Sequence, residues 1–312
     1  MTTPAELKEM LRNPVVAVTT PFKADLSLDL DGLRTLVDFY CESKIGPLIV
    51  GGSTGELFSL QMEERKKIIE VAVAQAADRL PIIAGCPHSG TELALELVQH
   101  AQESGADGAM VTPPYYTFSG FEGLYRHYEI ISHESDLGIL VYFSGAVLHQ
   151  VQDILKNPAL LFKICELPTV AGFKDASGDF WFLRDVSIGL KDKVAVLASA
   201  GQGYFLWGRD YGCPGFITGL GNVWPDKELQ FWHAMQRGDR QAAFDLHYKW
   251  DRPYIDFIKS RGSRFNYWAA VKALLDMEGL PGGPMRPPLL DWPEQDKEAL
   301  RAEMVQIGLM KE

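Results

Sequence analysis

Cysteine is scarce in this chain, and its four residues, Cys41, Cys86, Cys165 and Cys213, lie far apart with no C-x-x-C pair. That spacing excludes a disulfide framework and a cysteine-ligated zinc site, and leaves four reduced thiols to be buried in a core. Histidine gives no better case for a metal, because His88, His127, His133 and His149 show no ligand spacing. Asp175 and Asp179 lie close together, but Asp179 ahead of FWFLRD reads as a helix N-cap. No metal is therefore expected. A basic block is missing as well: 30 Lys+Arg face 41 Asp+Glu for a net charge of −11, spread along the chain. A phosphate backbone or an anionic membrane surface would be repelled, so nucleic acid and membrane are not expected partners. No uninterrupted apolar run reaches the ~18 residues of a membrane span, and MTTPAELKEMLRNP has no apolar signal-peptide core. The expectation is a soluble cytoplasmic protein.

What the sequence does contain is a repeated alternation. Short β-branched runs recur at VVAVTTPF (15–22), GPLIVGG (46–52), PIIAGC (81–86), GAMVTPP (108–114), GILVYF (138–143), VAGFKDA (170–176), VAVLAS (194–199) and GFITGLGN (215–222). Between most of them lie helical patterns, such as Gln61–Ala77 and Thr91–Glu103, with apolar residues three and four apart. Strands apolar on both faces and alternating with helices imply a parallel sheet covered by helices. Eight such units predict an α/β fold of the (β/α)8 TIM-barrel class over residues 1–224. A doubly wound open sheet is the alternative, but no Gly-rich dinucleotide fingerprint follows the first strand. Residues 225–312 read as a C-terminal helical extension with helices at Asp226–Arg237, Arg240–Lys259, Phe265–Glu278 and near Glu294–Val305. The Pro/Gly-rich GLPGGPMRPPL (279–289) connects the last two.

In such a barrel, the residues that end a strand and enter the next loop face the catalytic mouth. By that rule GGSTGE (51–56), TPPYY (112–116), Tyr142-Phe143 and Lys174-Asp175 share one rim. Lys174 is anomalous there, because it ends the apolar run Val170-Ala171-Gly172-Phe173, where holding a charge is expensive. Either its ammonium is paired with a carboxylate, or it is not always an ammonium. A desolvated amine has a lowered pKa and a free lone pair for attack on a carbonyl. The small residues Gly52, Ser53 and Thr54 offer backbone N–H groups that can close on a carboxylate, and a plain glycine-rich turn is the alternative. Tyr142 on the neighbouring strand end is the proton carrier that loss of water from a carbinolamine requires. Glu56 is expected to fix its own loop rather than act as a base.

With GGSTGE, TPPYY, a tyrosine ending the fifth strand and GFKDASGD in chain order, the sequence resembles the dihydrodipicolinate synthase/N-acetylneuraminate lyase family of class I aldolases and dehydratases. The resemblance covers nearly the whole chain. It implies that Lys174 forms an imine with pyruvate or another 2-oxo acid without a further cofactor, served by Tyr142 and by the hydroxyls of Ser53 and Thr54. It also implies a relay tyrosine after strand four, lent by a neighbouring subunit: counting back from EGLY (122–125) favours Tyr116 over Tyr115. Ile217 becomes a pocket-wall candidate, and a homo-oligomer, dimer or tetramer, is expected. Phe143, standing where the family commonly has Asn, would make the pocket less polar. Ser144, Ser199, Gln202 and Asn222 are candidate distal contacts. Val147 stands where the lysine-biosynthetic synthase carries an arginine for its second substrate, which speaks against the aspartate-semialdehyde reaction. PAELKEML, GELFSL (55–60), RPYIDFIKSR (252–261) and MRPPLLD (285–291) resemble the 5-dehydro-4-deoxyglucarate dehydratase branch. The expected function is a Schiff-base lyase, dehydratase or aldolase, acting on pyruvate or a 2-keto-3-deoxy sugar acid. Two other readings stand beside it. One is a phosphosugar enzyme using Gly201-Gln202-Gly203, Gly219-Leu220-Gly221 and Arg209, and the other is a catalytically silent barrel that binds a ligand.

Overall fold

The structure is a computed structural model and describes residues 2–117, 119–144, 158–199, 201–261 and 267–311. Eight strands, β1 (Pro14–Ala17), β2 (Leu48–Val50), β3 (Ile82–Gly85), β4 (Gly108–Val111), β5 (Ile139–Ser144), β6 (Val170–Ala176), β7 (Ala195–Ala198) and β8 (Gly215–Thr218), form a closed parallel barrel in chain order. β8 closes it by pairing with β1, Val15 opposite Ile217. The α/β barrel expected from the eight apolar runs is the fold observed. The helices at Met62–Ala76 and Thr91–Glu103 stand where the periodicity put them, within a residue at each end.

Period-two alternation sorts the strands into an inner and an outer set, except in β6, where the register against β5 shifts by one residue and both Ala171 and Lys174 face inward. The barrel interior is filled by Val15, Ala17, Ile49, Ile83, Met110, Leu140, Tyr142, Ala171, Ala195, Leu197 and Ile217. Its N-terminal end is plugged by a helix, Pro4–Met10, started by a capping box in which Thr3 and Glu6 satisfy each other's backbone N–H groups. Leu7 and Leu11 from this segment are fully buried, worth roughly 1.5–3 kcal/mol each. The plug fits because the strands facing it carry glycine: a Cβ on Gly108 or Gly138 would stand 2.6 or 2.7 Å from Leu7 Cδ2.

Outside the barrel, two helix–sheet cores split the ring. One joins the outer faces of β3 to β8 to their covering helices. The other joins β1 and β2 to the C-terminal region, where Val16, Val18, Leu48 and Val50 share a cluster with Ala270, Val271, Leu274, Trp292, Leu300 and Met304. The helix Pro225–Gln236 follows β8 and packs on β1 and on the helix Leu30–Ser43, so it occupies the place of the eighth barrel helix. Beyond it, the helix expected over Arg240–Lys259 is interrupted by a π turn at His247–Asp251, between α-helical segments Arg240–Leu246 and Arg252–Ser260. Helices Tyr267–Met277 and Glu294–Gln306 complete the extension. The expected helix start at Phe265 falls outside the described residues. The four cysteines are free and buried, and among the described residues no helix is long and apolar enough to cross a membrane.

Candidate active site

β5 and β6 pair with Tyr142 opposite Lys174 and Phe143 opposite Asp175. Lys174, 5% exposed, points into the barrel, where its Nζ lies 3.9 Å from the centroid of the Tyr142 ring and 3.8 Å from Met110 Sδ. Among the described residues no carboxylate stands within ion-pair distance of it. Burial therefore holds its pKa below the ordinary lysine value, opposed only by Tyr142. Of the two alternatives that the sequence poses for this residue, pairing with a carboxylate is not met among the described residues.

The neighbouring positions face the other way. Asp175 is fully buried on the outer side, where Oδ2 accepts from the Tyr204 hydroxyl at 2.7 Å and Oδ1 from the Ser177 N–H at 2.9 Å. Burial pushes its carboxyl up. These bonds tie the end of β6 from behind and hold Lys174 toward the mouth. Phe143 is likewise outward, packed edge-to-face on Phe173 with ring centroids 5.5 Å apart. Its expected place in the pocket wall is thus corrected. Alternation along β5 cannot turn Tyr142 and its neighbour to the same side.

The loop after β2 approaches the same point. Gly51 adopts φ +72°, and a Cβ on Gly85 would fall 2.2 Å from the Gly51 carbonyl, so the turn closes only because both are glycine. Gly52 is buried against Met110, whose Cε lies 3.1 Å from where a Cβ on Gly52 would stand. Met110 thereby bridges the loop and Lys174, a contact the sequence reading missed. Ser53 and Thr54 follow, both part-buried. Ile217 lines the interior at 7% exposure. Ser199 is part-buried beyond β7, its N–H donating to the Asp175 carbonyl at 2.8 Å. Asp179 caps the following helix through the N–H groups of Trp181 and Phe182, the role read from the sequence.

Tyr116 is 91% exposed, so one chain alone does not bring it to the Tyr142–Lys174 pair. Tyr115 is part-buried near the buried Arg65 guanidinium. Val147 lies outside the described residues.

Gln202 and Asn222, expected as distal contacts, are both buried behind β8. The Gln202 amide donates to Glu228 Oε1 at 2.7 Å, and Glu228 Oε2 accepts from the Thr218 hydroxyl and from the Gly221 N–H at 3.2 Å. The Gly221 amide, one that a phosphate would use in the β8 loop, is thus taken by a carboxylate, which weighs against the phosphosugar reading. Glu228 is fully buried, and desolvation, with Asp251 adding to it, pushes its pKa to about 7. A raised acid stabilises the fold below its unfolded pKa, and that contribution is lost as pH climbs through the folded one. Stability should therefore fall between about pH 4.5 and 7 by roughly 3 kcal/mol from this group. Glu228→Gln should flatten that slope in urea midpoints taken at pH 5 and pH 8. An unchanged slope would contradict the assignment.

A sequence model described as the dihydrodipicolinate synthetase family matches residues 10–307. A probable 5-dehydro-4-deoxyglucarate dehydratase of Bradyrhizobium diazoefficiens is 30% identical, over 96% of this chain and 94% of its own. A 4-hydroxy-tetrahydrodipicolinate synthase of Nitrosomonas europaea is 31% identical, over 96% and 99%. The crystal structure of a prophage protein of the dihydrodipicolinic acid synthase family from E. coli K12, in complex with pyruvate, superposes with a TM-score of 0.85. It shares 25% identity and covers 96% of this chain and 99% of that one.

Proposed function

Because the chain belongs to the dihydrodipicolinate synthetase family, we propose that it is a lyase forming a Schiff base between Lys174 and a 2-oxo acid. The observation that carries this reading is a lysine buried at a barrel mouth against a tyrosine ring, with no carboxylate partner among the described residues. The 2-oxo acid's carboxylate rests on the loop Gly52-Ser53-Thr54, and neutral Lys174 attacks its C2 carbon. The nitrogen–carbon bond that forms gives a carbinolamine. Tyr142, relayed through Ser53 and Tyr116, protonates the departing hydroxyl, which leaves as water and yields a protonated imine. That cation draws electrons from C3, whose proton passes to a phenolate or water. The resulting enamine either expels a protonated C4 hydroxyl as water or adds through C3 to a carbonyl carbon to make the C3–C4 bond. In the cleavage direction the protonated imine takes up the C3–C4 electrons as the C4 hydroxyl gives its proton to a phenolate or water, and the enamine is what remains. No further cofactor enters this sequence. Tyr116, exposed in one chain, serves the site of a neighbouring copy in a dimer or tetramer.

Between the two branches, the dehydratase or aldolase reading on a 2-keto-3-deoxy sugar acid is preferred over condensation of pyruvate with aspartate semialdehyde. Val147 offers no bidentate partner for the second carboxylate. Incubation with pyruvate and borohydride should leave one reduced adduct, on Lys174. In a panel of 4-deoxy-5-keto and 2-keto-3-deoxy sugar acids, N-acetylneuraminate, and pyruvate with aspartate semialdehyde, a keto sugar acid should turn over and the semialdehyde hardly at all. An unmodified Lys174 with several 2-oxo acids would favour the silent barrel, and fast semialdehyde turnover would favour the synthase.

A further inference from the structure

A second lysine is buried in an apolar run, Lys272 in AAVKALL (269–275), and it is 1% exposed. Its solution is the reverse of Lys174's. Nζ lies 2.5 Å from Glu56 Oε1 and donates to the Pro284 carbonyl at 2.8 Å. Glu56 closes the loop GGSTGE. It is fully buried and holds φ +57°, a left-handed conformation that a non-glycine residue adopts only when its surroundings enforce it.

Arg286 supplies the rest of the enforcement. Its N–H donates to Glu56 Oε2 at 3.0 Å, and its guanidinium forks onto both oxygens of Glu64 at 2.7 Å. Further bonds reach the carbonyls of Leu26 (2.8 Å) and Ser59 (3.0 Å). Both cations also lie over the Phe22 ring, 4.4 and 4.2 Å from its centroid. On the barrel side, Thr20 Oγ1 donates to the Gly55 carbonyl at 2.7 Å, and the N–H groups of Glu56 and Leu57 return to Ser53 and Gly52. Besides Thr20, residues 52–59 are therefore clamped by two residues more than 200 positions away in sequence, Lys272 through its ammonium and Arg286 through its backbone N–H and its guanidinium.

We infer that Lys272 and Arg286 are positioning residues for substrate carboxylate: acting through Glu56, they fix the backbone of Gly52, Ser53 and Thr54 in the conformation that receives it. This rests on the Schiff-base reading, in which that loop holds the 2-oxo acid. The consequence is a split between parameters. Loosening the clamp misplaces the carboxylate contacts but leaves Lys174, on another strand, as reactive as before.

The test is borohydride trapping over a range of pyruvate concentrations, giving a half-saturating concentration and a limiting rate. Glu56→Gln/Lys272→Met removes both charges together and so leaves no buried ion unpaired. In this double variant the half-saturating pyruvate should rise roughly tenfold or more, with the limiting rate within about threefold of the parent. Glu64→Gln, at a part-exposed position, loosens Arg286 without touching the buried pair and should raise the same parameter to a smaller extent. If the double variant does not fold, Glu64→Gln decides. Folded variants with parental half-saturation overturn the inference, as does a limiting rate that falls in step with native fraction. Failure of the parent protein to trap pyruvate overturns the Schiff-base reading and this inference together, and is visible in the same series.

Discussion

Lys174→Met should leave a folded barrel without turnover: kcat/KM lower by roughly 10⁴-fold or more and no borohydride adduct with any 2-oxo acid. Methionine matches the length of the lysine stem and meets the same apolar neighbours, Met110 and the Tyr142 ring. The amine it replaces is desolvated and has no carboxylate among the described residues, so stability should stay level or rise. The identical change at the other buried lysine should do the opposite. Lys272→Met strands Glu56, fully buried, without its cation, a loss of about 3–5 kcal/mol. The two substitutions thus separate chemistry from stability in one pair of urea titrations and one trapping assay. A Lys174→Met protein as destabilised as Lys272→Met would mean that Lys174 is held as a structural ion, and the Schiff-base proposal would fall. The pH dependence adds a further check. Because burial lowers the Lys174 pKa, trapping by the parent protein should level off at a pH below that at which an exposed lysine becomes neutral.

The barrel was legible because eight apolar runs alternate with helical periodicity, a pattern that local spacing alone imposes. Lys174 and Tyr142 were legible because a polar residue at the end of an apolar strand is costly and needs a reason. The same signal was present at Lys272 in AAVKALL and went unread, since nothing local says that its partner lies 216 residues earlier. Phe143 failed for a different cause. If Tyr142 and Lys174 face inward, period two sends Phe143 and Asp175 outward, and that rule was available from the sequence. Gln202 could not have been placed by any local rule, because Glu228, the group that claims it, sits on a helix after the next strand. The Gly108 and Gly138 positions belong to the same class: their smallness is set by Leu7 of a helix more than a hundred residues away.

Tyr142→Phe should slow imine formation by roughly 10²–10³-fold while sparing the fold and the final extent of trapping. The ring that stacks under the Lys174 amine at 3.9 Å remains, as does its burial in the barrel interior, so packing is conserved and only the phenol is lost. Attack on the carbonyl carbon needs the amine alone. Loss of water from the carbinolamine needs a proton delivered to a hydroxide-like leaving group, and that step should become rate-limiting in the variant. Stopped-flow trapping with pyruvate separates the two, because adduct should accumulate to parental levels at a much reduced rate. Added general acids of small size should restore part of that rate in the variant and leave the parent unchanged, since only the variant lacks an internal donor. A rate within about threefold of the parent would assign the proton transfer elsewhere, to Ser53, to the mobile proton of water at the mouth, or to a tyrosine from a neighbouring copy. Tyr142 would then be a packing partner that holds the amine, and the proposed relay through Ser53 and Tyr116 would have to begin at a different donor.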